Sequence, residues 1–307
     1  MDLLSRLLAE KEELRKKLDE NEAGIAELSG QSVGTGMVVP ASEACKKIPP
    51  DSWLVDGLFH SVGFGVVTAP PFCGKSFISA HIAGSLCSGR HLFGPFKANI
   101  AVPVLYLYYE SGRSEFLRTI KKTLESRGID GKTLFVNAAD VPNERMRIGS
   151  AGFEAAIRAS GAKFIIADTL AFAANVKEES NEEFQSKVVG PTVDLTKRLG
   201  VSILYVHHPQ KNTEGVDDVY AIRGGGTLAA GADTIIKLER VKGDARESPK
   251  RVFKIVKVRG AHSGHIDLEF DFPRRIAYCD GDDAKKVLWT PQRYAAAKAQ
   301  EPWPGEG

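Results

Sequence analysis

The chain has 307 residues, of which 43% are hydrophobic and 26% are charged, and this excludes a mainly disordered protein. The net charge of +2 does not by itself indicate a nucleic-acid-binding protein. The longest apolar runs are far shorter than the about 20 residues of a membrane span, and charges begin at Asp2, so we expect no membrane partner and no secretory signal. The four cysteines form no C-x-x-C pair, which favours a reducing, cytoplasmic location.

The N-terminal part of the chain is predicted to be a helix followed by a linker. In residues 1–28, leucines and isoleucines recur at alternating steps of three and four residues among Glu and Lys, which predicts an amphipathic, coiled-coil-like helix. This helix could pair with a second copy, dock on the rest of the chain or bind another protein. Residues 29–50 are rich in Gly, Pro and small polar residues, as is typical of a linker.

Residues 51–279 are predicted to form one α/β domain. Short apolar runs alternate with helical stretches, which indicates βαβ units and a mainly parallel sheet flanked by helices; the predicted strands are 64–69, 104–109, 134–137, 164–168, 203–207 and 234–238. Two further runs, 252–258 and 265–270, are separated by a glycine-containing loop and predict a C-terminal β-hairpin. Residues 280–307 are polar and proline-containing, and we expect a mobile tail there.

The strongest local motif is a phosphate-binding loop of the Walker A type, in which Ala69 replaces the first glycine. It lies between a predicted strand and a predicted helix, so that its N–H groups and the helix N-terminus can cradle a phosphate. Lys75 is expected to reach the β- and γ-phosphates of ATP, and the Ser76 hydroxyl to ligate Mg²⁺. Alanine is acceptable if this position does not need a positive φ. The predicted nucleotide-binding residues are Ala69, Pro70, Pro71, Phe72, Cys73, Gly74, Lys75, Ser76 and Phe77.

Two predicted strands end in carboxylates. Asp168 closes the apolar run 164–168, which is the Walker B arrangement for orienting Mg²⁺. Glu110 follows the run 104–109 and is a candidate for orienting and deprotonating the attacking water, the alternative being a helix-capping acid. A third strand ends in His207 and His208. Because adjacent residues of a strand point to opposite faces, only one of them can face the phosphate loop, and we favour His207 as a γ-phosphate sensor.

This set of motifs resembles the RecA-like ATPases, and among them the hexameric replicative helicases of the RepA and DnaB kind. The resemblance covers residues 48–272 and includes the lead-in 53–58. It implies phosphate and Mg²⁺ binding by Lys75 and Ser76, water activation by Glu110, metal orientation by Asp168 and γ-phosphate sensing at His207. It also implies that Lys257 and Arg259 enter the site of a neighbouring subunit, with Arg223 as the rival for that role.

The loops that this resemblance assigns to DNA are not basic. Residues 171–183 contain Lys177 and four glutamates, and residues 209–222 contain Lys211 and three acids, whereas DNA binding calls for Lys or Arg at the backbone. A basic concentration lies at 237–259, with nine Lys and Arg residues against three acids; the alternative for this segment is a solvated hairpin face.

We therefore predict an ATP- and Mg²⁺-dependent motor ATPase that acts on single-stranded DNA, such as a replicative helicase. The expected partners are further copies of the chain in a ring, a hexamer by resemblance, and other replication proteins. Two alternatives stay open. A non-translocating nucleotide switch or accessory ATPase would assemble through residues 1–28, and a nucleotide or small-molecule kinase would share the phosphate loop.

Overall fold

The computed structural model describes residues 11–13, 15–17, 40–47, 52–110, 112–138, 142–177, 180–209, 225–245, 248–273 and 275–279. The chain divides into two units, residues 1–51 and 52–307. In the first unit, residues 11–13 and 15–17 are helical, and helix α1 (Ala41–Ala44) continues into a 3-10 turn (Cys45–Lys47). Most of the predicted helix over 1–28, most of the linker and the whole tail over 280–307 lie outside the described residues.

The second unit is built on a large, mainly parallel sheet. Its nine described strands are β3 (Gly63–Thr68), β6 (Val104–Tyr108), β7 (Leu134–Val136), β8 (Phe164–Asp168), β9 (Ser202–His207), β10 (Thr234–Arg240), β11 (Lys250–Val258), β12 (Gly264–Asp271) and β13 (Ile276–Cys279). Across the sheet they are ordered β13-β12-β11-β10-β3-β9-β8-β6-β7. Strands from β10 to β7 run parallel, and β11, β12 and β13 join antiparallel to one another and to β10.

Helices cover both faces of this sheet. The described helices are α2 (Lys75–Ser88), α3 (Arg113–Arg127), α4 (Ala151–Ser160), α5 (Leu170–Ala174), α6 (Asn181–Phe184), a π turn (Gln185–Val189), α7 (Gly190–Leu199) and α8 (Gly225–Gly231). Two short antiparallel ribbons complete the unit: β1 (Trp53–Val55) with β2 (Phe59–His60), and β4 (His91–Phe93) with β5 (Phe96–Lys97).

The continuous apolar strands follow from this two-sided burial. In β8, Phe164 and Ile166 belong to the core that packs α2 and α3, whereas Ile165 and Ala167 belong to the core under α4 to α8. Successive side chains of a strand point to opposite faces, so a strand covered on both faces needs apolar residues at every position. Truncating a fully buried ring such as that of Phe164 (0% exposed) typically costs about 3–5 kcal/mol of unfolding free energy.

The predicted fold class is confirmed, and the six predicted strands and the C-terminal hairpin are present within one or two residues of the expected bounds. The patterns did not indicate the two short ribbons or β13, because each of these strands has only two to four residues. No helix in the described part of the chain is long and apolar enough to cross a membrane.

Candidate nucleotide site

The phosphate loop connects β3 to α2 at the carboxyl end of the sheet. Ala69 is fully buried and does not adopt a positive φ, so alanine is accepted at the position of the missing glycine. Gly74 has a φ of +100°, and a Cβ there would lie 2.5 Å from Cε2 of Phe270. This position therefore requires glycine, both for its backbone conformation and for the close packing of the loop against β12.

Lys75 is the first residue of α2 and is folded back onto its own loop. Its Nζ donates hydrogen bonds to the carbonyl oxygens of Ala69, at 2.8 Å, and Pro70, at 3.3 Å. Burial lowers the pKa of Lys75, and the nearby Asp168 carboxylate opposes that effect. These carbonyls are neutral acceptors, so phosphate oxygens, which form stronger charge-assisted hydrogen bonds, can replace them.

Ser76 and Asp168 lie in direct contact, although they are far apart in sequence. Ser76 Oγ donates to Asp168 Oδ2 at 2.8 Å, and the Tyr106 hydroxyl donates to the same oxygen at 2.9 Å. Asp168 is only 1% exposed; burial raises its pKa, and the two hydrogen bonds oppose the rise. A hydroxyl and a carboxylate beside a phosphate cradle are the protein ligands that Mg²⁺ uses when water and phosphates complete its shell, so these residues fit the ion.

Glu110 faces His208 across the mouth of the site. Glu110 follows β6, with 37% of its side chain exposed, and its Oε1 lies 4.0 Å from His208 Nε2. The interaction with His208 lowers the pKa of Glu110, while burial raises it and Lys75 contributes a further lowering. A carboxylate that stays ionised at neutral pH is able to accept a proton from water.

The structure places His208 in the site instead of His207, which the sequence analysis favoured. His207 is the last residue of β9 and is buried, with its ring packed edge-on against Phe184 at a centroid distance of 5.6 Å. His208 follows the end of β9 and lines the pocket. Of the two histidines, His208 is therefore the one that lies at the pocket, and the γ-phosphate sensor role stays a prediction.

One pocket of about 360 Å³ brings together Lys75, Ser76, Glu110, Asp168 and His208. Pro71, Phe72, Gly74 and Phe77 of the predicted nucleotide-binding segment also line it. Arg275 is a lining residue that sequence reasoning missed. It lies in the turn before β13, and its Nη2 contacts Glu115 of α3 at 3.1 Å; no local motif marks it.

Lys257 and Arg259, the pair predicted to enter a neighbour's site, make different contacts within their own chain. Lys257 Nζ donates to the carbonyls of Ala229, at 2.6 Å, and Ala232, at 2.7 Å, so it caps the end of α8 within its own chain. Arg259 follows β11, and its N–H donates to the Asp233 carbonyl at 2.8 Å. The Arg259 side chain is 61% exposed, with its Nε 3.0 Å from Asp233. Arg223 lies outside the described residues.

The acidic loop after β8 uses one of its glutamates internally. Both Glu183 carboxylate oxygens accept the Lys177 N–H at 3.0 Å, and Lys187 Nζ binds the same carboxylate. This contact ties the loop to α6 and the π turn. The second loop is described only at Pro209.

A family model described as an AAA domain matches residues 34–214, which is more than half of the chain. The chain belongs to this AAA domain family. A comparison of the sequence with curated proteins found no match. Among solved structures, the ATPase domain of G40P is similar with a TM-score of 0.55 and 14% identity, over 85% of this chain and 98% of that one.

The chain is also similar to a DnaB-like replicative helicase, whose structure was described together with its interactions with primase. The TM-score is 0.54 at 13% identity, over 89% of this chain and 75% of that one. At these identities the likeness shows the fold. The AAA domain chain therefore has the RecA-like fold that its motifs predict, and its family and fold are those of ATPases.

Proposed function

We propose that this protein is an ATP- and Mg²⁺-dependent motor that moves on single-stranded DNA, as a replicative helicase does. One observation carries the proposal: Ser76 and Asp168 are hydrogen-bonded at 2.8 Å in a pocket that also contains Lys75, Glu110 and His208. A phosphate cradle, a pair of Mg²⁺ ligands, a base and a polar group at the mouth are the parts that ATP hydrolysis needs. The structural likeness to the DnaB-like helicase supports the motor.

Each side chain has a defined task in this proposal. Lys75 exchanges its two carbonyl partners for phosphate oxygens when ATP enters. Ser76 and Asp168 would hold Mg²⁺, which neutralises charge on the β- and γ-phosphates when bound. Glu110 orients a water and accepts its proton. His208 contacts the γ-phosphate, and through its interaction with Glu110 couples the presence of that phosphate to the position of the base. Since β9 ends next to the segment 209–222, His208 also links the site to a candidate DNA loop.

The assembly is proposed to be a ring of identical chains, with six copies by resemblance to the helicases. The exposure of Arg259 supports its role as the residue that reaches a neighbour's γ-phosphate, and Arg223 stays the alternative. Residues 51–279 are proposed as the ATPase domain, residues 1–28 as an assembly or partner-binding helix, and 29–50 as the linker between them. Single-stranded DNA and other replication proteins are the proposed partners.

A non-translocating ATPase is the second candidate, and a specific observation favours it. Glu183 accepts the Lys177 backbone N–H and pairs with the Lys187 ammonium, so the charge of Lys187 is engaged within the chain and not offered to a DNA phosphate. A nucleotide or small-molecule kinase, which would share the phosphate loop, is the third candidate.

The experiment that separates these functions is displacement of streptavidin from biotinylated single-stranded DNA. A motor displaces streptavidin when ATP is present, and a Glu110→Gln variant, which retains the ATP cradle, does not. Hydrolysis without displacement would assign the chain to the non-translocating class. Phosphorylation of an added nucleoside monophosphate, with neither of these activities, would assign it to the kinases.

A further inference from the structure

Two arginines outside every recognised motif hold the outer side of the phosphate loop. A loop that wraps a phosphate directs N–H groups inward, so its carbonyl oxygens point outward and need donors there. Arg251 on β11 donates from Nε to the Cys73 carbonyl at 2.8 Å. Arg240, at the end of β10, donates from Nη2 to the Phe72 carbonyl at 3.0 Å. Both residues lie more than 160 positions beyond the loop.

These contacts determine the direction of two peptide N–H groups. In a planar trans peptide the C=O of one residue and the N–H of the next point in opposite directions. The bond to the Phe72 carbonyl therefore orients the N–H of Cys73, which closes the turn onto the Pro70 carbonyl at 3.2 Å. The bond from Arg251 to the Cys73 carbonyl orients the N–H of Gly74, a residue that lines the nucleotide pocket.

This loop has an unusual need for such support. Pro70 and Pro71 supply no N–H donors, and Phe72 has a φ of +59°, a left-handed conformation that is uncommon for a bulky residue. Fewer donors are then available to a phosphate, so the orientation of the Gly74 N–H carries more of the binding.

The charge of Arg251 has no acidic partner in the described part of the chain. The side chain is 2% exposed, and its other hydrogen bonds go to the carbonyls of Ser248 and Lys250. Its guanidinium also lies over the rings of Phe270 and Phe272, at 5.3 and 5.8 Å. A buried cation is costly unless an anion compensates for it, and an incoming polyphosphate is such an anion.

We infer that Arg251 is a positioning residue for polyphosphate binding, which aims the Gly74 N–H and supplies positive potential behind the loop, and that Arg240 supports it. The inference rests on the proposed ATPase function and adds to it the residues that shape the cradle. Their effect is on nucleotide affinity and not on the chemical step, because neither side chain lines the pocket.

The test is an equilibrium titration of the full chain with a fluorescent ATP analogue, together with the KM and kcat of ATP hydrolysis. Arg251→Met is expected to weaken binding about tenfold or more and to raise KM, with kcat at saturation close to wild type. Arg251→Lys keeps the charge but lacks the planar guanidinium and its Nε donor. It is expected to bind ATP more tightly than Arg251→Met but more weakly than the wild type. Lys250→Met is the matched control, because it removes an exposed charge from the same strand and leaves ATP affinity unchanged.

Wild-type affinity in Arg251→Met would overturn the inference, and full recovery by Arg251→Lys would overturn the claim that the side chain orients the peptide. If Arg251→Met fails to fold, Arg251→Lys and Arg240→Met decide: the inference expects both to bind ATP more weakly, Arg240→Met by about threefold, and wild-type affinity in both would contradict it. A wild-type chain that does not bind ATP would instead refute the proposed function.

Discussion

Replacing the lysine of the phosphate loop should affect ATP affinity much more than the stability of the fold. Lys75→Ala removes the ammonium that donates to the Ala69 and Pro70 carbonyls. Hydrogen bonds from a charged group contribute about 1.5–3 kcal/mol each, but removing the ammonium also removes the cost of burying it, which lowers the pKa of Lys75. The unfolding free energy should therefore fall by only about 2 kcal/mol. The fold should therefore survive, as a circular dichroism melting curve would show.

The loss of ATP affinity should be larger than the loss of stability. Hydrogen bonds to a charged group contribute about 1.5–3 kcal/mol each, and those between two opposite charges are the strongest. When ATP enters, Lys75 exchanges two neutral carbonyl acceptors for anionic phosphate oxygens. The net loss of binding free energy is then about 2–4 kcal/mol, or roughly 30- to 1,000-fold in the dissociation constant. Titration with a fluorescent ATP analogue measures this, with Lys97→Ala as a control outside the pocket. Wild-type affinity in a folded Lys75→Ala chain would refute the assignment of the loop.

Further predictions concern the base, the sensor and the neighbour's site. Glu110→Gln should bind ATP normally and lower the steady-state hydrolysis rate by about 10²–10⁴-fold. Weaker ATP binding with an unchanged hydrolysis rate would instead mean that Glu110 has a structural role. His208→Ala should lower kcat with little change in ATP affinity, because it removes the partner of Glu110. His207→Ala should chiefly lower the melting temperature, since that ring packs against Phe184 in the core. The opposite pattern would favour His207 as the sensor. Lys257→Met should cost about 1–2 kcal/mol of unfolding free energy through the lost cap of α8. Arg259→Ala chains mixed with Glu110→Gln chains should regain part of the ATPase that each lacks alone, and full activity of Arg259→Ala by itself would exclude a role in a neighbour's site.

The parts of the site that the sequence predicted are those encoded locally. The glycine, lysine and serine of the phosphate loop follow an apolar strand and begin a helix, and Asp168 ends an apolar run. In a parallel sheet the carboxyl ends of the strands meet at one edge. Local patterns and this one rule were therefore enough to place Lys75, Ser76, Glu110 and Asp168 together.

The sequence was least informative where one residue of register decides which side chain faces the site. The alternation along β9 predicts that the two histidines face opposite sides, but it does not say which side faces the phosphate loop. The spacing of Lys257 and Arg259 predicts a shared face, but it does not indicate that Lys257 caps α8 whereas Arg259 pairs with Asp233.

The sequence also could not indicate Arg251, because its role comes from a tertiary contact. Nothing near it in the chain resembles a motif, and its partner Cys73 is 178 residues away. The antiparallel addition of β11 to β10 brings it under the loop, and that pairing is a property of the whole sheet. Arg275 was missed for the same reason, since a turn beyond β12 carries it to the pocket.

Whether this pocket hydrolyses ATP to drive movement on DNA is decided by the steady-state ATPase rate of the wild-type chain, measured with and without single-stranded DNA. We expect Mg²⁺-dependent ATP hydrolysis that single-stranded DNA accelerates and that Glu110→Gln abolishes. A hydrolysis rate that single-stranded DNA does not change would contradict the proposal of a DNA motor. Absence of hydrolysis under both conditions would contradict the assignment of the pocket as an ATPase site.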